Sequence, residues 1–474
     1  MVFTAPIFLM FFLPVFIIFY IVAPNVRIKN ITTLAFSIFF FAWGEPVFIG
    51  YVLVGTAIDY LAIKVGCAPE RPTSQRRRAL VLAVTINVAA LLYFKYANFF
   101  MAETTPLLAQ AGWSLGEWRK IALPLGISFI TFHKISFVVD LYKGRAPPPR
   151  NFLDALLYIF LFPQLIAGPI VRYHDIGDQI IDRSSSADDV LAGFQRFAMG
   201  LVKKVLIADQ VAVMVQSVAQ TPSADLPWEY AWLGALAYTV QIYFDFSGYS
   251  DMAIGMARMM GFRFPENFNR PYTATSVTDF WRRWHMTLSR WMHEYLYVPL
   301  GGNRASLART FANLWIVFLL SGFWHGAAWT FVAWGAFHGF FLSLEKAAAH
   351  FPWKPSIPAQ ARQAATFLIV LNGWVLFRAD SLSQAMSLWA RMYGLGPAPA
   401  TPQQPFWLMF EPQGLVCLVV GLVLGLAPSR RHPALPPALL AHPAVRLTTG
   451  GLLLTAGLAG AFSGNYSPFL YFRF

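Results

Sequence analysis

Ala5-Pro-Ile-Phe-Leu-Met-Phe-Phe-Leu-Pro-Val-Phe-Ile-Ile-Phe-Tyr-Ile-Val-Ala23 is a run of 19 residues without a charged side chain. A helix of that length crosses the roughly 30 Å of hydrocarbon in a bilayer. No Lys or Arg precedes it, and the first is Arg27. A cleavable signal peptide needs a basic leading region, so the run reads as a retained helix. Arg27 and Lys29 directly after it predict an outside N-terminus. The whole chain continues in this manner: 57% of its 474 residues are hydrophobic, 44 are Phe, and only 12% are charged, against about 25% in soluble proteins. That excludes a disordered chain and a soluble globule, which has nowhere to hide so much apolar surface. The length alone suggests about three soluble domains, but the composition favours one polytopic membrane domain over 1–474. Two cysteines exclude a disulfide scaffold and a Cys-rich metal site. The net charge of +13 is assigned to cytoplasmic loops rather than to nucleic-acid binding.

Further spans are predicted over 31–43, 47–65, 79–97, 120–141, 192–219, 230–258, 308–325, 327–343, 364–378, 406–427 and 447–463. Arg71, Arg76, Arg77 and Arg78, and then Lys143, Arg145 and Arg150, fall in loops on the inner side. The stretches 97–118 and 220–229 have no Lys or Arg and fall outside. The apolar run 151–171 breaks this alternation and is interrupted by Pro163, Gly168 and Pro169. It reads as a re-entrant segment, tolerated where it is buried in protein or lines a cavity. The expected fold is all-α, with about twelve transmembrane helices plus re-entrant and interfacial helices.

Polar groups concentrate in 241–329. Trp281, Trp284, Leu288 and Trp291 recur at i, i+3, i+7 and i+10, one face of a helix, with His285, Ser289 and Met292 on an adjacent face. Arg282, Arg283 and Arg290 are too many for hydrocarbon, so the segment reads as an amphipathic helix at the interface or one folded back into a cavity. A Trp/Arg anchor without chemistry fits the same pattern. His325 ends the apolar run that begins at Phe311. An ionisable residue inside such a segment is a functional candidate, and a neutral imidazole there can accept a proton; the plain alternative is a histidine bonded to a neighbouring carbonyl. His133, with Lys134 and Asp140 near it, reads as a helix-packing network. Asp245 and Asp251 form either a carboxylate pair or, better, partners of Arg or backbone groups that shape the cavity. His293-Glu294-Tyr-Leu-Tyr297 lacks the second histidine of a zinc protease motif, and neither a P-loop nor a G-x-S-x-G elbow occurs. No metal is expected.

Trp281-Arg-Arg-Trp-His285-Met-Thr-Leu-Ser-Arg-Trp291, Tyr297-Val-Pro-Leu-Gly-Gly302 and Ser321-Gly-Phe-Trp-His325-Gly-Ala-Ala-Trp329 together resemble the membrane-bound O-acyltransferase family, in its bacterial alginate O-acetyltransferase branch. Phe244 to Asp251, Pro265 to Asn269 and Gln164 to Pro169 support the resemblance. It implies a ring of helices around a central tunnel, with a catalytic core over about 120–345. His325 matches the family's histidine and His285 its second site. The resemblance implies a thioester donor, acetyl-coenzyme A or an acyl carrier protein, with no permanently bound cofactor, and an acceptor hydroxyl. His325 is then the general base. His285 orients the donor or stabilises the oxyanion. Trp284, Trp324, Asp245, Asp251, Arg282 and Ser289 are candidates for lining the tunnel or binding the donor. The C-terminal aromatic tail, 464–474, is similar to the tail of the small partner peptide in teichoic acid D-alanylation, which makes Tyr471 a candidate acyl carrier; the alternative is a docking or anchoring tail.

The function expected from the resemblance is O-acetylation of an exported polysaccharide, alginate first, across the bacterial inner membrane. Membrane lipid surrounds the chain, and periplasmic partners of the SGNH esterase-like type complete the transfer. Peptidoglycan, cellulose or another exopolysaccharide is the alternative acceptor. A non-catalytic acyl transporter and a structural scaffold are the readings from other classes.

Overall fold

The computed structural model describes residues 1–114, 116–222, 225–304, 306–350, 356–396, 405–427, 442–463 and 469–470. It is 76% helical, and no strand occurs among the described residues. Two compact units arise, one from residues 1–194 and 253–265, the other from 195–252 and 266–474.

In the first unit the longer helices are α1 (Phe8–Val22), α2 (Val26–Ala42), α3 (Ile49–Gly66), α4 (Thr73–Gln110), α5 (Ile127–Tyr142), α6 (Phe152–Phe160) and α7 (Tyr173–Ile181). α3 and α4 are long and apolar enough to cross a membrane. Asn25 caps α2 by accepting the Ile28 N–H, and Asn151 caps α6 by accepting the Asp154 N–H. α4 runs on to Gln110, so the first part of the loop expected over 97–118 is helix. It lies on a continuous helical path through a π-type widening at Leu92–Tyr96. The interruption expected in 151–171 is present. Helix α6 stops at Leu161, a short turn covers Phe162–Leu165, and residues 154–171 are buried throughout. The freed backbone finds partners inside the protein. Ser37 Oγ accepts the Phe162 N–H at 3.1 Å, Gln164 Nε2 donates to the Tyr158 carbonyl at 2.6 Å, and Tyr158 OH donates to the Val171 carbonyl. His133 is fully buried against Tyr158. Lys134 pairs with Asp59 at 3.4 Å, whereas Asp140 binds His174, so the network expected around His133 is divided between two partners.

The second unit holds α8 (Ala187–Val202) from residue 195 on, a π-helical turn at Lys203–Ala208, α9 (Asp209–Gln220), α10 (Trp228–Met259) up to residue 252, α11 (Val277–Trp281), α12 (Met286–Met292), α13 (Leu307–His325), α14 (Trp329–Ala348), α15 (Ala359–Arg378), α16 (Pro412–Leu426) and α17 (Pro443–Phe462). α13 and α17 reach membrane-spanning length and hydropathy. The span expected over 406–427 is divided, with Phe406–Met409 separate from α16, because Pro412 can open a helix but cannot continue one.

The single helix expected over 281–291 is also corrected. The chain leaves helical geometry between α11 and α12, and His285 adopts φ 42°, ψ 52°, a conformation uncommon for a non-glycine residue. The cause is a neighbouring extended segment. Asn267 O accepts the Met286 N–H at 2.9 Å, and the Asn269 N–H donates to Arg283 O at 2.9 Å. Trp281, Trp284, His285, Leu288 and Trp291 are all buried, so the segment folds into the protein rather than displaying a Trp face. Asn tolerates the left-handed region and β-branched residues do not. Both replacements lose the buried ring, so His285→Val is expected to be less stable than His285→Asn by about 1–2 kcal/mol, measurable by thermal unfolding of the purified protein in detergent.

Candidate active site

The site is built on the α13–α14 hairpin. The two helices meet backbone to backbone. A Cβ on Gly322 would strike the Phe331 carbonyl oxygen, and one on Gly335 would strike that of Phe318. Small residues permit this approach between apolar helices. His325 is the last residue of α13, and Gly326 after it is extended and pressed against the Phe331 ring. The imidazole is 4% exposed and sits among Trp324 at 4.8 Å, Trp334 at 5.0 Å and Phe377 at 5.2 Å between ring centroids.

Trp324 links the two histidines, since its ring lies 6.4 Å from that of His285. His285 packs edge to face on Phe246 at 4.7 Å. Its Nδ1 lies 3.0 Å from Asn267 Oδ1, which also accepts the Thr287 hydroxyl at 2.8 Å, while Asn267 Nδ2 donates to Ser250. With Oδ1 as the acceptor, the proton of a neutral His285 stays on Nδ1 and the lone pair is on Nε2. Asn267 belongs to the Pro265–Asn269 motif, yet its role was not visible from sequence. The signal was an amide inside an apolar region.

A cavity of about 890 Å³ opens beside this cluster. Arg282 and Ser289 line it, together with Trp281, Ser321, Lys346 and Arg362. Ser321 is one turn before His325 on α13. Trp281 packs on Trp334, which in turn touches His325. Apolar wall is supplied by Leu288, Met292 and Phe318. Trp284 is buried behind it, against Trp374 at 4.8 Å and Phe268 at 5.0 Å. His338, not singled out from sequence, is fully buried between Trp281 and Trp334, each 5.1 Å away.

The two aspartates do not pair with each other. Asp245 accepts from Lys204 at 2.6 Å, and Lys204 also binds Asp209 at 2.6 Å. Asp251 binds Arg196 at 2.9 Å and Lys203 at 2.6 Å. Both are held in ion pairs, and neither is among the residues that line the cavity. Asp245 Oδ2 also accepts the Leu470 N–H at 3.0 Å, and Phe469 stacks on Tyr249 at 4.6 Å. Tyr471, the candidate acyl carrier, lies outside the described residues. No group of three or more His, Cys, Asp or Glu suited to a metal occurs among the described residues.

Helices of membrane-spanning length, two buried histidines around one indole, and an open cavity of mixed lining that neither histidine itself lines stand together in this unit. Residues 48–378 match the model of the membrane-bound O-acyltransferase family, and the chain belongs to that family. It is a membrane protein and an acyltransferase. Among its relatives, a probable alginate O-acetylase of Azotobacter vinelandii is 43% identical over 84% of this chain and 79% of its own length. A probable alginate O-acetylase of Pseudomonas putida is 40% identical over the full length of both. A peptidoglycan O-acetyltransferase of Helicobacter pylori is 36% identical over 83% of this chain and 80% of its own.

Proposed function

We propose that this chain is an O-acetyltransferase of the inner membrane that takes acetyl from a cytoplasmic thioester and delivers it toward an exported polysaccharide, alginate first. The observation that carries the reading is the pair of buried histidines on Trp324, one of them with its tautomer set by Asn267. The names of the relatives support the acceptor class. The peptidoglycan alternative is favoured by the Helicobacter pylori relative. Twelve spans around a tunnel complete the proposed architecture.

In this reading His325 is the general base. An acceptor hydroxyl oxygen bonds to the thioester carbonyl carbon while His325 takes its proton. Collapse of the tetrahedral oxyanion breaks the C–S bond, and the proton passes from His325 to the departing thiolate. The lone pair on His285 Nε2 suits it to orienting a reacting group; a neutral ring in that tautomer has no Nε2 proton to offer an oxyanion. The apolar wall of the cavity suits the arm of acetyl-coenzyme A or of a carrier protein. Arg282, Lys346 and Arg362 suit its phosphates.

The first acceptor in this proposal is Tyr471, which passes acetyl to periplasmic partners of the SGNH type. Support comes from the tail residues before it. Phe469 is fully buried, Leu470 is bonded to Asp245, and Phe469 also touches Phe246, which packs on His285. The test is transfer of labelled acetyl from coenzyme A or carrier protein to the purified chain. Wild type is expected to become labelled and Tyr471→Phe to stay unlabelled. Full polysaccharide acetylation in Tyr471→Phe would sink the relay and leave direct transfer.

A further inference from the structure

A second pocket, of about 270 Å³, lies in the first unit where the N-terminal turns of α2 and α6 meet. It is lined by Arg27, Asn30 and Ile31 of α2, and by Arg150, Leu153 and Asp154 at the start of α6. Arg150 Nε pairs with Asp154 at 3.2 Å, and its side chain is still 46% exposed. Asn30 is buried and fixed by donating to the Ile180 carbonyl and accepting from Arg183. Arg27 is exposed, and its side chain makes no hydrogen bond or ion pair with the described residues.

The charge arrangement is unfavourable unless something negative is present. The first turn of α2 carries Arg27 and Lys29 and no acidic residue, although a helix start favours anions and repels cations. Two guanidiniums against one carboxylate leave one positive charge in the pocket, and the starts of α2 and α6 add to it. The rim is apolar and open: Ile31 is 44% exposed and Leu153 49%. A soluble anion gains nothing from such a rim, whereas a lipid presents a phosphate beside a glycerol and acyl chains. Arg27, in the first turn of α2, and Arg150, just before α6, both fall at the end of their segments expected on the inner side, where pockets of this kind between helices receive anionic headgroups.

We propose that this pocket binds the headgroup of an anionic phospholipid of the inner leaflet, its phosphodiester between Arg27 and Arg150 and its glycerol and upper chains on Ile31 and Leu153. The site is separate from the acyl-transfer chemistry and does not depend on it.

The test is native mass spectrometry of the full-length protein in detergent, titrated with phosphatidylglycerol, phosphatidylcholine or inorganic phosphate. Wild type is expected to retain one phosphatidylglycerol at concentrations where phosphatidylcholine is lost. Arg27→Gln should need about fivefold more lipid for the same occupancy, and Arg77→Gln, in a different basic loop, should match wild type. Arg27 has no protein partner to lose, so the variant is expected to fold normally, and an unchanged melting point checks this. Equal retention of the two lipids, or wild-type retention by Arg27→Gln, would overturn the proposal. Displacement of the lipid by millimolar phosphate would also overturn it, in favour of a soluble-anion site.

Discussion

Replacing His325 by alanine is expected to lower acetyl transfer by about 10²–10⁴-fold, read as labelled acetyl delivered by membranes containing equal amounts of wild type and variant. The ring is surrounded by Trp324, Trp334 and Phe377, and an imidazole in its neutral form there can take a proton. The α13–α14 contact rests on Gly322 and Gly335 and not on the imidazole, so the hairpin should survive the change, although the cavity left among the three rings lowers the melting point. Undiminished transfer at equal protein level would remove His325 as the base. His285, whose lone pair is on Nε2, would then be the next group to test, and a transporter without chemistry would regain weight if both variants stayed active.

Lys204→Met is expected to cost about 3–5 kcal/mol of stability. Lys204 is 3% exposed at its side chain and lies 2.6 Å from both Asp209 and Asp245, themselves almost fully buried. Methionine nearly matches its volume, so the loss isolates charge from packing. Two carboxylates would be left in the interior without their cation, and Asp245 would hold the Leu470 N–H in an altered field. Thermal unfolding in detergent checks the magnitude. A shift within the range of a surface substitution would show that the two carboxylates find other partners. The double variant Lys204→Met with Asp245→Asn should recover part of the loss, because one of the stranded charges is then removed.

The membrane class was legible because it depends on composition and on the length of apolar runs, which need no partner to interpret. His325 stood out as a candidate for the same reason: an imidazole at the end of such a run is conspicuous. Other parts were set by distant residues. The Trp281-to-Trp291 pattern suited a helix by local spacing, but the backbone groups of Asn267 and Asn269 take up an N–H and a carbonyl of the turn at 283–286 and break it. Asp245 and Asp251 stand near each other in sequence, yet their lysines come from the widened turn at Lys203–Ala208, and Asp251 also takes Arg196 from α8. The cavity escaped because its wall is drawn from positions as far apart as Thr275 and Arg362. His338 escaped because nothing near it in sequence marks it as a neighbour of Trp281.

The backbone contact between α13 and α14 also sets which changes this chain can accumulate. Gly322, Gly326 and Gly335 each have another residue's atoms where a Cβ would stand, so mutational drift is closed at all three. On the same helix, Ile316 and Leu320 are 36% and 45% exposed and can exchange with any apolar residue of similar size. On α13, exchange is therefore open at Ile316 and Leu320 and closed at Gly322, one turn before the histidine.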